Sequence, residues 1–182
     1  MYPSIMYNEE LPYGLPIKLQ EPGKMKFELY KIDTYFRLKP GHLPMLLKKS
    51  GLYNLDDTYY VETNGVETIY ISSVDFELVK KHYDVYYIKF QEIYGFHTTR
   101  LMFMGYVNKW YERKSTDTGA RKVVDKLMLN SLYGKFGSKN RGYHKIPYMS
   151  EEGIVKYKHS EIEDMKKYYL PVAIAITSYA HK

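Results

Sequence analysis

The sequence has 182 residues, enough for one large or two small domains, and a formal net charge of +6. It contains no cysteine, which excludes a disulfide framework and a thiolate-ligated metal site. No apolar run approaches the roughly 18 residues of a membrane-spanning helix, and the N-terminus lacks a basic-then-apolar signal segment. The basic surplus fits a partner that carries phosphates.

The first hundred residues are rich in β-formers. Prolines interrupt residues 1–24, which predicts a strand or helix edge followed by an extended path. Residues 25–29 alternate apolar and polar and predict a strand, as does the β-rich segment 84–90. Between them, Asn64-Gly65 lies inside the β-rich segment 59–71, which predicts a hairpin with a type I′ turn.

A short helix is predicted within this β-rich region, from Val74 to His82. Ser73 is its expected N-cap, and Asp75 lies in the first turn, where a negative charge stabilises the helix dipole. The whole segment therefore predicts a compact α+β unit.

The hydrophobic period becomes helical after Arg100. One helix is predicted over residues 101–112 and a second over residues 120–133, with the polar segment 114–119 between them. Gly134 is the expected end of the second helix, because glycine commonly terminates helices. Together they predict an antiparallel helical hairpin.

Two further elements are predicted in the C-terminal part. Residues 146–159 indicate a second β-hairpin around Glu152-Gly153, and residues 171–179 indicate another helix. The apolar run Val172–Ile176 lacks an evident sheet partner, so we expect the isolated chain to self-associate through it.

The second helix of the hairpin carries a polar stripe. At 100° per residue, Lys122, Lys126, Asn130 and Tyr133 fall on one side. The opposite side is expected to face a core, and Leu129 is an exception near the stripe. The core side is predicted to contain Val123, Val124, Leu127, Met128 and Leu132.

Two interpretations of this stripe are possible. Charged helix faces are routine, so composition alone favours a solvated basic face. Lysines, an amide and a phenol also suit a nucleoside triphosphate, because lysine neutralises phosphate as a mobile point charge. The string from Lys126 to Gly134, Lys-Leu-Met-Leu-Asn-Ser-Leu-Tyr-Gly, favours the second interpretation.

That string, with the opening Tyr2-Pro3-Ser4, resembles family B DNA polymerases, and most closely their protein-primed branch from bacteriophages and linear plasmids. The resemblance implies an internal fragment: a mixed β insert domain, a two-helix fingers hairpin and a partial palm. The implied domains are the palm edge 1–8, a first insertion 9–101, fingers 102–137, a second insertion 138–170 with its β-hairpin, and the start of a palm helix 171–182.

The resemblance also implies roles for single residues. The ring of Tyr2 would lie under the deoxyribose of the incoming dNTP and exclude a 2′-hydroxyl. The other implied dNTP-binding residues are Lys114, Lys122, Lys126, Asn130 and Tyr133. The implied DNA-binding residues are Ser131, Gly134, Lys135, Thr177 and His181, although His181 stands where the family has arginine.

Catalysis in this family implies Mg²⁺ in the intact parent enzyme, held by carboxylates outside this chain. No Asp-x-Asp occurs in the sequence. We therefore expect no catalytic or metal-binding residue here, no bound Mg²⁺, and no DNA synthesis by the chain alone. Expected partners are a primer-template DNA, dNTP and a terminal protein, in the cytoplasm of a bacterial host, with no membrane.

Two alternatives remain open. The chain could be a stand-alone, non-catalytic module that binds DNA or protein and derives from such a polymerase. It could also be an unrelated basic α+β protein with a chance motif. The parent-enzyme interpretation is favoured because the chain starts and stops inside motifs, whereas natural domain boundaries fall in linkers.

Overall fold

The computed structural model describes residues 1–46, 59–137, 143–161 and 169–182. Within these ranges the chain forms five helices and six strands, which confirms the α+β class. The helices are α1 (Tyr2–Asn8), α2 (Ser73–His82), α3 (Met104–Thr116), α4 (Gly119–Phe136) and α5 (Leu170–His181). The strands are β1 (Leu11–Lys18), β2 (Phe27–Leu38), β3 (Glu67–Ser72), β4 (Tyr83–Thr99), β5 (Tyr143–Met149) and β6 (Val155–Glu161).

Strands β1 to β4 form one antiparallel sheet in the order β1-β4-β2-β3. Alternate residues of β2 are buried, as expected for a strand with one covered face. The core on that face consists of Tyr30, Ile32, Phe36, Ile71, Val79, Tyr83 and Ile93. Both predicted strands exist, but each is longer than its local pattern indicated.

The predicted hairpin at Asn64-Gly65 is wrong. Strand β3 pairs with β2, with Tyr30 opposite Ile71, and Glu62 forms a bridge with Arg37 further along β2. Both arms therefore lie along the same edge of β2, and Asn64-Gly65 interrupts this edge instead of reversing the chain. Only Gly65 has a positive φ, 74°, whereas a type I′ turn needs two such residues.

Helix α2 begins one residue before the predicted position. Its N-cap is Ser72, whose Oγ accepts a hydrogen bond from the Asp75 backbone N–H at 3.0 Å. The Oγ of Ser73 instead accepts from the Glu28 backbone N–H at 3.1 Å, which joins the helix to β2. Asp75 lies in the first turn, as predicted.

The helical hairpin is confirmed, with shifted bounds. Helix α3 reaches Thr116, so Lys114 is helical and does not lie in a loop. Helix α4 passes through Gly134 and ends at the cap residue Gly137. The extra turn brings Phe136 against Phe103, with ring centroids 5.5 Å apart.

The predicted core side of α4 is wrong for three of its five residues, whereas Leu132 packs on the core as predicted and Met128 is half-buried. Val123, Val124 and Leu127 are more than half exposed, whereas Leu129 and Asp125 are buried. The side that packs runs through Asp125, Leu129, Leu132 and Phe136, spaced four, three and four residues apart as on one helix face. The number of apolar residues on a helix face was therefore not a sufficient guide to which face of α4 is buried.

Helix α5 confirms the last predicted helix and covers the apolar run on which the expectation of self-association was based. Val172, Ala175 and Ile176 are fully buried within the chain, in a cluster with Met6, Leu11 and Leu129. The apolar run is thus covered by α1, β1 and α4, and the reason for expecting self-association through it disappears. In the described part of the chain, no helix is both long and apolar enough to cross a membrane.

Strands β5 and β6 form the predicted second hairpin. Gly153 has φ of 74° in its turn, where a left-handed conformation is needed. Most of the described side chains of the β5–β6 hairpin are exposed, including those of Tyr148 and Tyr157. The rest of the predicted second insertion, residues 138–142 and 162–168, lies outside the described residues.

Candidate functional site

A cleft of about 610 Å³ lies between α1, α3 and α4. It brings together three residues that the sequence predicted for nucleotide binding, Lys114, Lys126 and Asn130. The complete lining is Met1, Pro3, Ser4, Tyr7, Asn8, Val107, Asn108, Tyr111, Lys114, Lys126, Leu129 and Asn130.

The two lysines meet because the hairpin is antiparallel. Lys114 belongs to the last turn of α3, and Lys126 lies two turns into α4. Buried Leu129 holds α4 against the core, and Asn130 lies one turn beyond Lys126. Among the described residues, neither lysine forms an ion pair, so both charges are available to a phosphate chain.

Tyr2 and Tyr133 form a stacked pair beside the cleft. Their ring centroids are 3.9 Å apart and their planes differ by 22°. A hydrogen bond with Tyr2, together with burial, raises the pKa of the Tyr133 phenol. The neighbours of Tyr2 in sequence, Met1 and Pro3, line the cleft, which places the stacked rings next to it.

Other predicted residues of α4 lie outside the cleft lining. Lys122 is exposed one turn nearer the start of the helix. Ser131, Gly134 and Lys135 are also exposed, and the Oγ of Ser131 donates to the Met128 carbonyl at 3.5 Å. They are therefore accessible to a larger ligand that passes along α4.

The two residues of α5 that are predicted to contact DNA, Thr177 and His181, both form hydrogen bonds within the chain. Thr177 donates through Oγ1 to the Ala173 carbonyl at 2.9 Å. His181 lies with Nδ1 3.0 Å from Oδ1 of Asp75, and Ser72 and Ser178 both donate to Oδ2 of that carboxylate. This network, the Asp75 network, joins α2 to α5.

The Asp75 network shifts two pKa values. The hydrogen bond to Asp75 raises the pKa of His181 against the opposing effect of burial. Burial alone would raise the pKa of Asp75, but the hydrogen bonds from His181, Ser178 and Ser72 together hold it below its usual range. Both groups are thus charged at the same time over a wider pH window than the one between their ordinary pKa values of 3.8 and 6.5.

Sequence reasoning missed the walls that α1 and α3 contribute to the cleft. Asn108 and Tyr111 precede Lys114 by six and three residues, so all three lie on one face of α3. On α1, Ser4 and Asn8 are also one turn apart, and the Nδ2 of Asn8 donates to Ser4 Oγ at 3.1 Å. This polar spacing along α3 was the available signal.

The described residues were compared with the ligand groups that hold metal ions. Nowhere in these ranges are three or more His, Asp or Glu side chains grouped as metal ligands. A magnesium ion that bridges phosphates is usually held by one or two carboxylates with water. The cleft lining contributes no carboxylate at all.

Comparison with known proteins gives a consistent result. The whole chain, residues 1–182, matches the family of type B DNA polymerases, organellar and viral. The DNA polymerase of Bacillus phage phi29 is 36% identical over 189 residues, covering 99% of this chain and 32% of that protein. The DNA polymerase of Streptococcus phage Cp-1 is 35% identical over 191 residues, covering 99% of this chain and 34% of that protein. The chain spans about a third of the length of these relatives.

Solved structures agree with this comparison. Phi29 DNA polymerase complexed with primer-template DNA and incoming nucleotide substrates matches with a TM-score of 0.85 and 33% identity, over 99% of this chain and 32% of that one. Its post-translocation binary complex with primer-template DNA matches with a TM-score of 0.83 and 34% identity, with the same coverage. The fold is therefore that of one third of the phi29 polymerase.

Proposed function

Because the chain belongs to the type B DNA polymerases of organelles and viruses, we propose that it holds the incoming nucleotide and the adjacent DNA in such an enzyme. The observation that carries this proposal is the cleft between α1, α3 and α4, where Lys114, Lys126 and Asn130 converge. Its volume of about 610 Å³ lies within the usual range of ligand sites, about 300–1,000 Å³.

The residues of the cleft have complementary tasks in this proposal. Lys114 and Lys126 neutralise the triphosphate, because each supplies an unpaired ammonium group from a different helix. Asn130 lies beside the sugar and the new base pair. The stacked rings of Tyr2 and Tyr133 form the apolar surface next to the sugar, with Tyr2 excluding a 2′-hydroxyl.

Further residues contact the DNA strands in this proposal. Ser131, Gly134 and Lys135 are exposed along α4, and a strand beside the nucleotide would pass over them. Thr177 and His181 on α5 face the primer strand. His181 would present its imidazole there, held by Asp75, whose hydrogen bond raises the His181 pKa. A primer-template DNA is accordingly the proposed partner.

The complete enzyme is proposed to perform template-directed DNA synthesis, with a terminal protein as primer and Mg²⁺ supplied by carboxylates elsewhere. The exposed β5–β6 hairpin would help to enclose DNA, and the four-stranded sheet region would contact the terminal protein. The phage relatives support protein-primed replication in the cytoplasm of a bacterial host.

The 182-residue chain by itself is proposed to bind without catalysing synthesis. Its sequence contains no Asp-x-Asp, and the described residues form no metal-ligand group. Purified chain should give no extended product when it is incubated with primer-template DNA, dNTP and Mg²⁺. Extension that persists through successive purification steps would refute this part of the proposal.

The nucleotide site is tested by comparing two lysines one turn apart on α4. Lys126 lines the cleft and Lys122 does not. In calorimetric titrations of the chain with dTTP in the presence of primer-template DNA, Lys126→Ala should weaken dTTP binding about tenfold, the loss of one charge-assisted contact. Lys122→Ala tests the dNTP contact that the resemblance implies for Lys122. Because Lys122 lies outside the cleft lining, we expect this substitution to change dTTP binding less than about twofold. Equal effects of the two substitutions would argue against the cleft as the nucleotide site.

A further inference from the structure

Helix α4 contains a buried carboxylate that the proposed nucleotide site does not use. Asp125 is 1% exposed, and its Oδ2 has no hydrogen-bond partner among the described residues. An ionised carboxylate is costly in a protein interior unless it is paired. An apolar side chain would be the ordinary occupant of this position, so the acid calls for an explanation.

The charge nearest to Asp125 belongs to α3. Arg113 Nε lies 3.6 Å from Asp125 Oδ1, and the Arg113 guanidinium lies over the Trp110 ring, 4.9 Å from its centroid. Arg113 is thus held on one side by the ring and on the other by the carboxylate. Because the Arg113 side chain is 51% exposed, solvent screens the attraction and the pair adds little net stability, so its contribution would be to the geometry of the two helices.

This pair occupies a particular place along the hairpin. Near the sheet, Phe103 packs on Phe136, and midway the Tyr106 hydroxyl donates to the Met128 carbonyl at 2.6 Å. Residues 118–124 at the far end are all exposed. Asp125 is therefore the outermost buried residue of α4, and it pairs there with Arg113 of α3.

Each member of the pair is adjacent in sequence to a cleft lysine. Arg113 precedes Lys114, and Asp125 precedes Lys126. We infer that Asp125 is a positioning residue: by holding Arg113 it fixes the separation of Lys114 and Lys126 and so tunes the cleft for a triphosphate over a monophosphate. This inference rests on the proposed nucleotide site.

The mechanism requires that both lysines engage one phosphate chain. A triphosphate is long enough to meet two ammonium groups projecting from different helices, whereas a monophosphate meets one at a time. A change in the spacing of the helices should therefore weaken triphosphate binding and leave monophosphate binding nearly unchanged. A general loss of folding would instead reduce both.

The test is calorimetric titration of the 182-residue chain, with primer-template DNA, by dTTP and by dTMP. Asp125→Asn keeps the shape of the side chain and removes its charge. We expect it to weaken dTTP binding about five- to tenfold, comparable to one lost charge-assisted contact, with dTMP affinity changed less than about twofold. Glu112→Gln, an exposed change on α3, is the matched control and should preserve the dTTP-to-dTMP ratio.

A second variant separates positioning from folding. Arg113→Gln should reduce the dTTP-to-dTMP ratio like Asp125→Asn, and the double variant should be no worse than either single one, since both substitutions break the same pair. If Asp125→Asn retains the wild-type ratio while Lys126→Ala loses it, Asp125 only packs and the inference is wrong. If wild-type chain shows no preference for dTTP over dTMP, the proposed nucleotide site itself is refuted and this inference falls with it.

Discussion

The sheet region and the helical hairpin treat their charges differently. In the sheet, charged side chains pair across strands: Lys31 lies 3.2 Å from Glu92, and Asp33 accepts from Thr68 and Gln91. In the hairpin, Lys114 and Lys126 face a cleft without ion-pair partners among the described residues. These charges of the sheet have partners within the chain, whereas the two cleft lysines leave their charge available for a ligand.

Their cores differ as well. The sheet encloses a cluster of aromatic rings, with Phe36 against both Tyr60 and Tyr83. The hairpin has few buried residues, and its outer half contains the pair of Arg113 and Asp125. A well-packed sheet region and a sparsely packed hairpin that contains the proposed nucleotide site are the two parts of this fold. Each of the following predictions tests that contrast.

The largest effect should follow the removal of an aromatic ring from the sheet core. Phe36 is fully buried, so Phe36→Ala should lower the free energy of unfolding by about 3–5 kcal/mol, measured by urea denaturation. Leu127→Ala, at a residue 60% exposed on α4, is the control and should cost less than about 0.5 kcal/mol. A comparable loss for Leu127→Ala would restore the predicted core side of α4.

A smaller effect, on dTTP binding, should distinguish Lys114 of the cleft from Lys31 of the sheet, which is paired with Glu92. Lys114→Met should weaken dTTP binding about five- to tenfold, because a charge in the cleft is lost. Lys31→Met removes a charge that already has a partner in the sheet and should leave dTTP binding unchanged. Calorimetry on both variants measures the difference. The contrast fails if Lys31→Met weakens binding as strongly as Lys114→Met.

The N-caps of α2 and α4 should differ in their contribution to the free energy of unfolding by up to about 1 kcal/mol. Ser72 caps α2 through its side chain, so Ser72→Ala should lower the free energy of unfolding by about 1 kcal/mol. Thr118 occupies the same position before α4 but makes no side-chain cap bond, so Thr118→Ala should cost less. Urea denaturation of both variants would show the ranking, and the reverse ranking would contradict the assigned caps.

The smallest effect concerns the Asp75 network, which is half-exposed at His181. The raised pKa of His181 contributes stability that is complete below its ordinary value of 6.5 and is lost as pH rises through the folded-state pKa. The lowered pKa of Asp75 contributes stability that is complete above 3.8 and is lost as pH falls through its folded-state pKa. The network should therefore stabilise the fold most between these two values.

NMR titration of the His181 imidazole measures this directly. Asp75→Asn should lower the His181 pKa toward its ordinary value, because the carboxylate that favours the imidazolium is removed. His97→Gln, on the sheet, serves as a control and should leave the His181 titration in place. An unchanged His181 pKa in Asp75→Asn would show that the 3.0 Å contact does not persist in solution.

Local sequence predicted those elements whose signals are local. Helix α5 followed from an apolar run after a proline, and the β5–β6 hairpin from Glu152-Gly153 between β-rich arms. Asn64-Gly65 carried an equally clear local signal, but β2, some thirty residues away, offered a partner to both arms. Tertiary pairing overrode the turn signal there.

The same limit applies to the site. Lys114, Lys126 and Asn130 were predicted from a motif, and they do line one cleft. The side of α4 that packs was predicted wrongly because a buried aspartate is rare, so Asp125 was not counted toward a core. Asn108 and Tyr111 escaped attention because only the folding of α3 beside α1 and α4 brings them to that cleft.

The burial of α5 also constrains the order in which this part of the molecule can fold during synthesis. Helix α5 follows all of its packing partners in the chain, and its residues Val172, Ala175 and Ile176 complete the cluster that contains Met6, Leu11 and Leu129. The ribosome therefore releases the sheet region with its own core first. The apolar base of the hairpin therefore stays uncovered until the α5 segment has been synthesised and can pack on it.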